Sequence, residues 1–257
     1  MNANMTTKKP HRGIYLLPNL FTTAALFCGF YAIVASINGK FETAAIAIFV
    51  AMVLDGIDGR VARLTNTESD FGAEYDSLAD MVSFGLAPAL IIYLWSLSNL
   101  GKIGWLASFV YVACAALRLA RFNTQASHSD KRYFQGLASP AAAAVVAGLI
   151  WNGDLIKEFI PEPTMQYVAF ATTLFAGLLM VSNVRYHSFK GVNWRSKVPF
   201  FTILMFVFGL VFISAEPALV LFAGFLVYAL SGPVLTVIML RRRRAERESL
   251  KQQDKVD

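Results

Sequence analysis

Residues 55 to 80 read DGIDGRVARLTNTESDFGAEYDSLAD and place five aspartates, two glutamates and two arginines between two long apolar runs. At about 100° per residue, Asp55, Asp58, Gly59 and Ala62 fall on one helical stripe, and Asp76 and Asp80 form a second pair at i,i+4. An ionised aspartate inside a membrane helix costs about 2.5 to 3.5 kcal/mol on insertion scales. Four left uncompensated would cost on the order of 10 kcal/mol and would repel one another. Bound divalent cations answer both difficulties, and oxygen ligands without His or Cys select Mg²⁺, Mn²⁺ or Ca²⁺ rather than zinc. Asp55, Asp58, Asp76 and Asp80 are therefore the expected metal ligands. The small residues beside them (Gly59, Ala62, Gly72, Ala73 and Ala79) leave room for a bulky guest. A pair of such ions can bridge a diphosphate, neutralise a leaving group and align an attacking oxygen. Arg63 is placed to meet remaining phosphate charge, and Asp80, last in the series, to take a proton from an incoming alcohol. Glu68, Asp70 and Glu74 read as solvated residues of the connecting turn and the next helix start.

The elements that hold these acids must be membrane helices. Apolar residues make up 56% of the 257 and charged residues 16%, with a mean hydropathy of +0.52, which excludes an ordinary soluble domain. Runs long enough to cross about 30 Å of hydrocarbon, about 20 helical residues each, fall at 15–37, 41–60, 72–98, 103–125, 139–159, 164–184, 198–214 and 218–240. The expected fold is thus an all-α polytopic bundle of about eight transmembrane helices, one integral-membrane domain over 1–257. Asn152, Gly153 and Asp154 interrupt the fifth run, and the seventh is short for a full crossing. Ser139 and Thr164 read as N-caps, Ser69 or Asp70 as the start of the third helix, and INGK, SNLGK and SAEP as reversals. Pro88 and the Gly232-Pro233 pair should kink their helices.

Charge follows the same division. Of the 23 Lys and Arg residues, all but Lys40, Lys102 and Lys157 lie on the side shared by the two termini and the aspartate-rich segment. The positive-inside rule makes that side cytoplasmic. The net charge of +6 is explained by this asymmetry, with no nucleic acid required, and the basic segments 1–13 and 241–257 read as cytoplasmic topology anchors. Cys28 and Cys114 sit inside apolar runs, so neither a disulfide framework nor a thiolate site is expected. His11, His128 and His187 show no ligand spacing.

The spacing D-G-x2-A-R-x8-G-x3-D-x3-D, filled by Asp58, Gly59, Ala62, Arg63, Gly72, Asp76 and Asp80 with Asp55 before it, resembles the signature of the CDP-alcohol phosphatidyltransferases. Further blocks, PNLFTTAALFCGF, YDSLADMVSFGLAPA, AALRLARFN and FQGLASPAAA, resemble the integral-membrane members that act on serine. Ala138 stands where that likeness leads one to expect proline. The resemblance implies CDP-diacylglycerol as donor, CMP as leaving group and L-serine as acceptor, at a site that the charge count sets on the cytoplasmic (inner) face of the cell membrane. It also implies a pair of divalent cations, Mg²⁺ or Mn²⁺, held by Asp55, Asp58 and Asp76. Asp80 would complete that site as base, and the protein would be a homodimer. Gly59, Ala62, Arg63 and Gly72 would adjoin the CDP moiety with Asp58, and Asn19 and Thr22 would touch cytidine or phosphate.

A zwitterionic acceptor needs a cation for its carboxylate, and Arg118 with Arg121 places two guanidinium groups at i,i+3 near a cytoplasmic helix end. Arg185 is a third candidate and Asn123 a helper, although arginines at helix ends commonly only snorkel. A sister transferase would take glycerol 3-phosphate or inositol phosphate instead and need a dianion site. An intramembrane prenyltransferase would need a second acidic motif, and the last three predicted helices hold no aspartate. A divalent-cation transporter could use membrane aspartates but would have no need of the Gly-Ala-Arg arrangement.

Overall fold

The computed structural model describes residues 16–125, 133–187 and 200–253. The basic segment 1–13 and most of the two loops that carry Lys131, Arg132, Lys190, Arg195 and Lys197 lie outside the described residues.

Helices account for nearly all of it. In chain order they are α1 (Leu16–Ile37), α2 (Phe41–Thr65), α3 (Asp70–Asp80), a π-helical segment (Met81–Leu86), α4 (Ala87–Trp95), a 3₁₀ turn (Leu97–Leu100), α5 (Lys102–Gln125), α6 (Ser139–Trp151), α7 (Gly153–Lys157), α8 (Glu162–Val181), α9 (Phe200–Ala215) and α10 (Pro217–Gln253). Among the described residues five stretches are long and apolar enough to cross a membrane: Leu17–Ile37, Asp70–Trp95, Lys102–Thr124, Glu162–Val181 and Pro217–Met239. The protein is a multi-pass membrane protein, and these five correspond to five of the eight predicted spans.

The other predicted spans differ for physical reasons. α2 has 25 residues, but its second half carries the acids and arginines of the motif. The 139–159 run breaks at Asn152, whose Nδ2 donates to the Gly148 carbonyl at 2.8 Å and the Ala218 carbonyl at 2.9 Å. What remains, α6, is a 13-residue helix with Ala141 to Ile150 buried throughout. It is apolar on every side because it fills the middle of the bundle, against α2, α4, α8 and α10. α9 has 16 residues.

Helix starts differ in detail. Ser69 caps α3, its Oγ accepting from Gly72 N at 3.1 Å, as expected of a Ser in that position. Ser139 and Thr164 are not caps: Ala138 and Pro161 precede α6 and α8 in extended backbone. α2 ends on Asn66, a left-handed residue at φ 51°, with Thr67 N donating to the Ala62 carbonyl at 3.0 Å.

Packing between helices depends on small residues, as in membrane bundles generally. Gly29 of α1 meets Ser83 so closely that a Cβ there would lie 2.5 Å from Ser83 Oγ. Ser83 in turn donates to the Ala25 carbonyl at 3.1 Å. α1 is thereby locked onto the π segment that directly follows Asp80.

Outside the helices, β1 (Tyr133–Gln135) pairs antiparallel with β2 (Arg185–His187), Gln135 opposite Arg185. This ribbon joins the end of α5 to the exit of α8. Tyr186 anchors it, donating to the Ala229 carbonyl of α10 at 2.9 Å.

Candidate active site

α2 and α3 descend from the same turn and carry the two acid stripes on neighbouring faces. Carboxylate oxygens of Asp55, Asp76 and Asp80 lie within 4.8 Å of one another. Asp55 of α2 and Asp80 at the end of α3 are thus brought together from opposite ends of the motif. Asp58, 5% exposed, stands apart from this trio: Thr22 Oγ1 of α1 donates to its Oδ2 at 2.8 Å. It remains within electrostatic reach of Asp55 and Asp76. The four expected ligands thus divide into three that converge and one held by a hydroxyl beside them.

The site suits a hard cation. Asp76 Oδ1 is buried without a hydrogen-bond partner, and a buried acceptor left unsatisfied costs about 1 to 3 kcal/mol. Among the described residues the trio offers oxygen donors only, the set preferred by Mg²⁺, Mn²⁺ and Ca²⁺. A divalent cation among the three would satisfy that oxygen and relieve the mutual repulsion of the carboxylates.

The residues expected around a nucleotide lie close by. Gly72, at the start of α3, faces α1, where a Cβ on it would be 3.5 Å from Asn19 Oδ1. Thr23 and Tyr75 join α1 and α3 through their hydroxyls at 2.9 Å. One turn beyond Gly59, Arg63 is exposed and lays its two terminal nitrogens 3.9 Å from where a Gly59 Cβ would be. Ala62 is half-buried at the end of the same helix. Contacts thus link Asn19 and Thr22 of α1 to Gly72 of α3 and Asp58 of α2, with Gly59, Ala62 and Arg63 following Asp58 on α2.

The cations expected for the acceptor come from α5. Arg118 Nη1 donates to Ser139 Oγ at 3.0 Å, and its Nε is buried without a partner. Its charge lies within reach of Asp80. Arg121 Nη2 donates to Asn183 Oδ1 at 2.8 Å and to Gln135 Oε1. Asn123 does not join them. It sits about 200° round the helix from Arg121, where its Nδ2 donates to Ser77 Oγ of α3 at 3.0 Å. For Arg185, the ribbon register sets its backbone opposite Gln135. Ser139, Gln135 and Asn183 were not expected here. Ser139 was read as a cap, and the other two gain their meaning only from the pairing of β1 with β2.

The comparisons agree with this geometry. Residues 15–181 match the family model described as CDP-alcohol phosphatidyltransferase. A Helicobacter pylori protein named CDP-diacylglycerol–serine O-phosphatidyltransferase is 41% identical over 222 residues, 86% of this chain and 92% of its own. Proteins of the same name are similar in Bacillus subtilis, 33% identical over 174 residues (68% of this chain, 91% of that one), and in Methanocaldococcus jannaschii, 38% over 139 residues (54% and 61%). With the family model covering residues 15–181 and a relative 41% identical over 86% of the chain, the chain belongs to the CDP-alcohol phosphatidyltransferase family.

Proposed function

We propose that this protein transfers the phosphatidyl group of CDP-diacylglycerol to L-serine, giving phosphatidylserine and CMP. The carrying observation is the convergence of Asp55, Asp76 and Asp80 within 4.8 Å on two membrane helices, with one buried carboxylate oxygen unsatisfied. The names of the relatives supply donor and acceptor.

Asp55, Asp76 and Asp80, with Asp58 beside them, would hold two divalent cations, Mg²⁺ or Mn²⁺. Bound there, such ions supply charge neutralisation for the diphosphate and its leaving group. The protein's own groups do the rest. Thr22 fixes the Asp58 carboxylate, and Asn19, Gly59, Ala62, Arg63 and Gly72 receive the CDP moiety. Arg118 and Arg121 take the serine carboxylate, with Arg185 as a third candidate, while Asn123, bonded to Ser77, steadies α5 against α3. Asp80 accepts the serine hydroxyl proton as the oxygen bonds to the phosphorus carrying diacylglycerol. The anhydride bond to CMP breaks in the same displacement, and CMP departs with the electron pair.

The lipid tails stay in the bilayer while CMP and serine exchange with water, so the site belongs at an interface. The Lys and Arg imbalance supports the cytoplasmic face of the inner membrane, with both termini on that side and one domain over 1–257. A homodimer is part of the same proposal. The test is to incubate purified protein with CDP-diacylglycerol, labelled serine and Mn²⁺ or Mg²⁺. Labelled phosphatidylserine and stoichiometric CMP from wild type, and neither from Asp80→Asn, are expected. CMP release driven by glycerol 3-phosphate and not by serine would overturn the acceptor assignment.

A further inference from the structure

Arg121 is tied down without being neutralised. Both hydrogens of its Nη2 go to neutral amide oxygens, Gln135 Oε1 and Asn183 Oδ1. No carboxylate pairs with it among the described residues, whose one ion pair is Lys157–Glu162. Among the described residues no hydrogen bond engages its Nη1 or Nε, so its charge stays available to a ligand.

The two acceptors come from distant parts of the chain, and both are fixed by backbone contacts. Gly136, directly after Gln135, has φ +80°, and a Cβ there would lie 2.2 Å from the Met180 carbonyl oxygen. Its N–H donates to the Val184 carbonyl at 2.9 Å, and Leu137 N to the Leu179 carbonyl at 2.9 Å. The end of β1 is thus stitched to the segment that carries Asn183. Tyr186, on the other side of that segment, is bonded to α10. Two fixed neutral acceptors set the plane of a guanidinium and leave its charge for an anionic ligand; a carboxylate at either place would consume it.

We propose that Gln135 and Asn183 are specificity-determining positioning residues, which aim Arg121 at the carboxylate of the acceptor and, by being amides rather than acids, leave its charge available to bind it. This rests on the reading of serine as acceptor. It makes the site selective for an alcohol that carries a carboxylate over a neutral one.

The test uses two substitutions that a structural role and a charge-sparing role rank in opposite order. Gln135→Glu keeps the acceptor oxygen and strengthens the bond to Arg121, while Gln135→Met loses the bond and adds no charge. Steady-state kinetics of the purified full-length protein are expected to show serine KM raised about tenfold or more by Gln135→Glu and about threefold by Gln135→Met. In both, kcat and the KM for CDP-diacylglycerol should stay within about twofold of wild type. Asn183→Asp and Asn183→Leu repeat the comparison on the second acceptor. Serine KM that rises more with Met than with Glu, or that moves with neither, would overturn the inference while leaving serine as the acceptor. A wild type that makes no phosphatidylserine would instead remove the reading on which it rests, and the inference with it.

Discussion

Tyr111 donates its hydroxyl hydrogen to the Phe84 carbonyl at 3.1 Å, the oxygen that Pro88, having no N–H, cannot serve in the i→i−4 pattern of an α-helix. Pro88 was expected to kink its helix. Just before Pro88 the chain widens into the π segment Met81–Leu86 and then continues as α4, with Tyr111 fully buried against it. The π segment begins one residue after Asp80, and Tyr111 lies two turns before Arg118 on the same stripe of α5. One hydroxyl therefore ties the backbone behind the proposed base to the helix that carries the proposed serine site.

Tyr111→Phe removes that hydrogen and nothing else, leaving a buried carbonyl short of a donor. The expected cost is about 1 to 3 kcal/mol of stability, read as a lower midpoint of thermal unfolding in detergent. A fall in kcat should accompany it, because the register of Asp80 depends on the segment being held. A variant with unchanged midpoint and unchanged kcat would show that the oxygen is satisfied in another way.

The division of the four aspartates predicts unequal effects. Asp76→Asn and Asp55→Asn strike the convergent trio and should abolish labelled phosphatidylserine, as should a chelator in excess over the added metal. Thr22→Val keeps all four carboxylates but releases Asp58 from its 2.8 Å hydrogen bond. Losing a partner of this kind typically costs about 10- to 100-fold in metal affinity or activity. Titration of Mn²⁺ should show half-maximal activity displaced upward by about tenfold, with activity recovered at high metal. Thr22→Val behaving like wild type would remove Asp58 from the metal site.

The acids were legible in the sequence because an aspartate in a membrane helix carries so large a penalty that its spacing is informative by itself. Ser69 was legible as a cap for a similar local reason. Which three acids converge was not, since it depends on how α2 and α3 lean together and on Thr22, 36 residues before Asp58. Among the described residues five of the eight predicted spans are long and apolar enough to cross a membrane, and the other three differ where composition and burial diverge. α2 carries the charges of the motif in its second half, and α6, 13 residues long, is buried among other helices. Of the proposed acceptor side, Arg118 and Arg121 stood out in the sequence as cations. Their partners Ser139, Gln135 and Asn183 did not, because a three-residue ribbon between helices leaves no periodic trace.

Arg118 supplies a sharper test of that side. Its Nη1 is occupied by Ser139 at 3.0 Å, and its buried Nε has no partner, an arrangement that a bound carboxylate would complete. Arg118→Lys keeps a charge but loses the planar fork. Hydrogen bonds to charged groups contribute about 1.5 to 3 kcal/mol, so serine KM should rise by about tenfold or more with the KM for CDP-diacylglycerol little changed. Ser139→Ala, which only loosens the arginine, should give a smaller rise in the same constant. A rise confined to the CDP-diacylglycerol constant would reassign Arg118 to the donor.

Ala138 occupies the position where the likeness to serine-using relatives led us to expect proline. Its backbone, at φ −61° and ψ 138°, already has the geometry that a pyrrolidine ring enforces. The residue stands just before α6, where a helical hydrogen bond from its N–H is not required. Ala138→Pro should therefore fit without displacing Ser139 from Arg118. By restricting the unfolded chain it should raise stability by about 0.4 to 1 kcal/mol, seen as a small upward shift in the thermal midpoint at unchanged serine KM. A lower midpoint, or a raised KM, would mean that the loop between β1 and α6 needs a freedom at Ala138 that its backbone angles do not reveal.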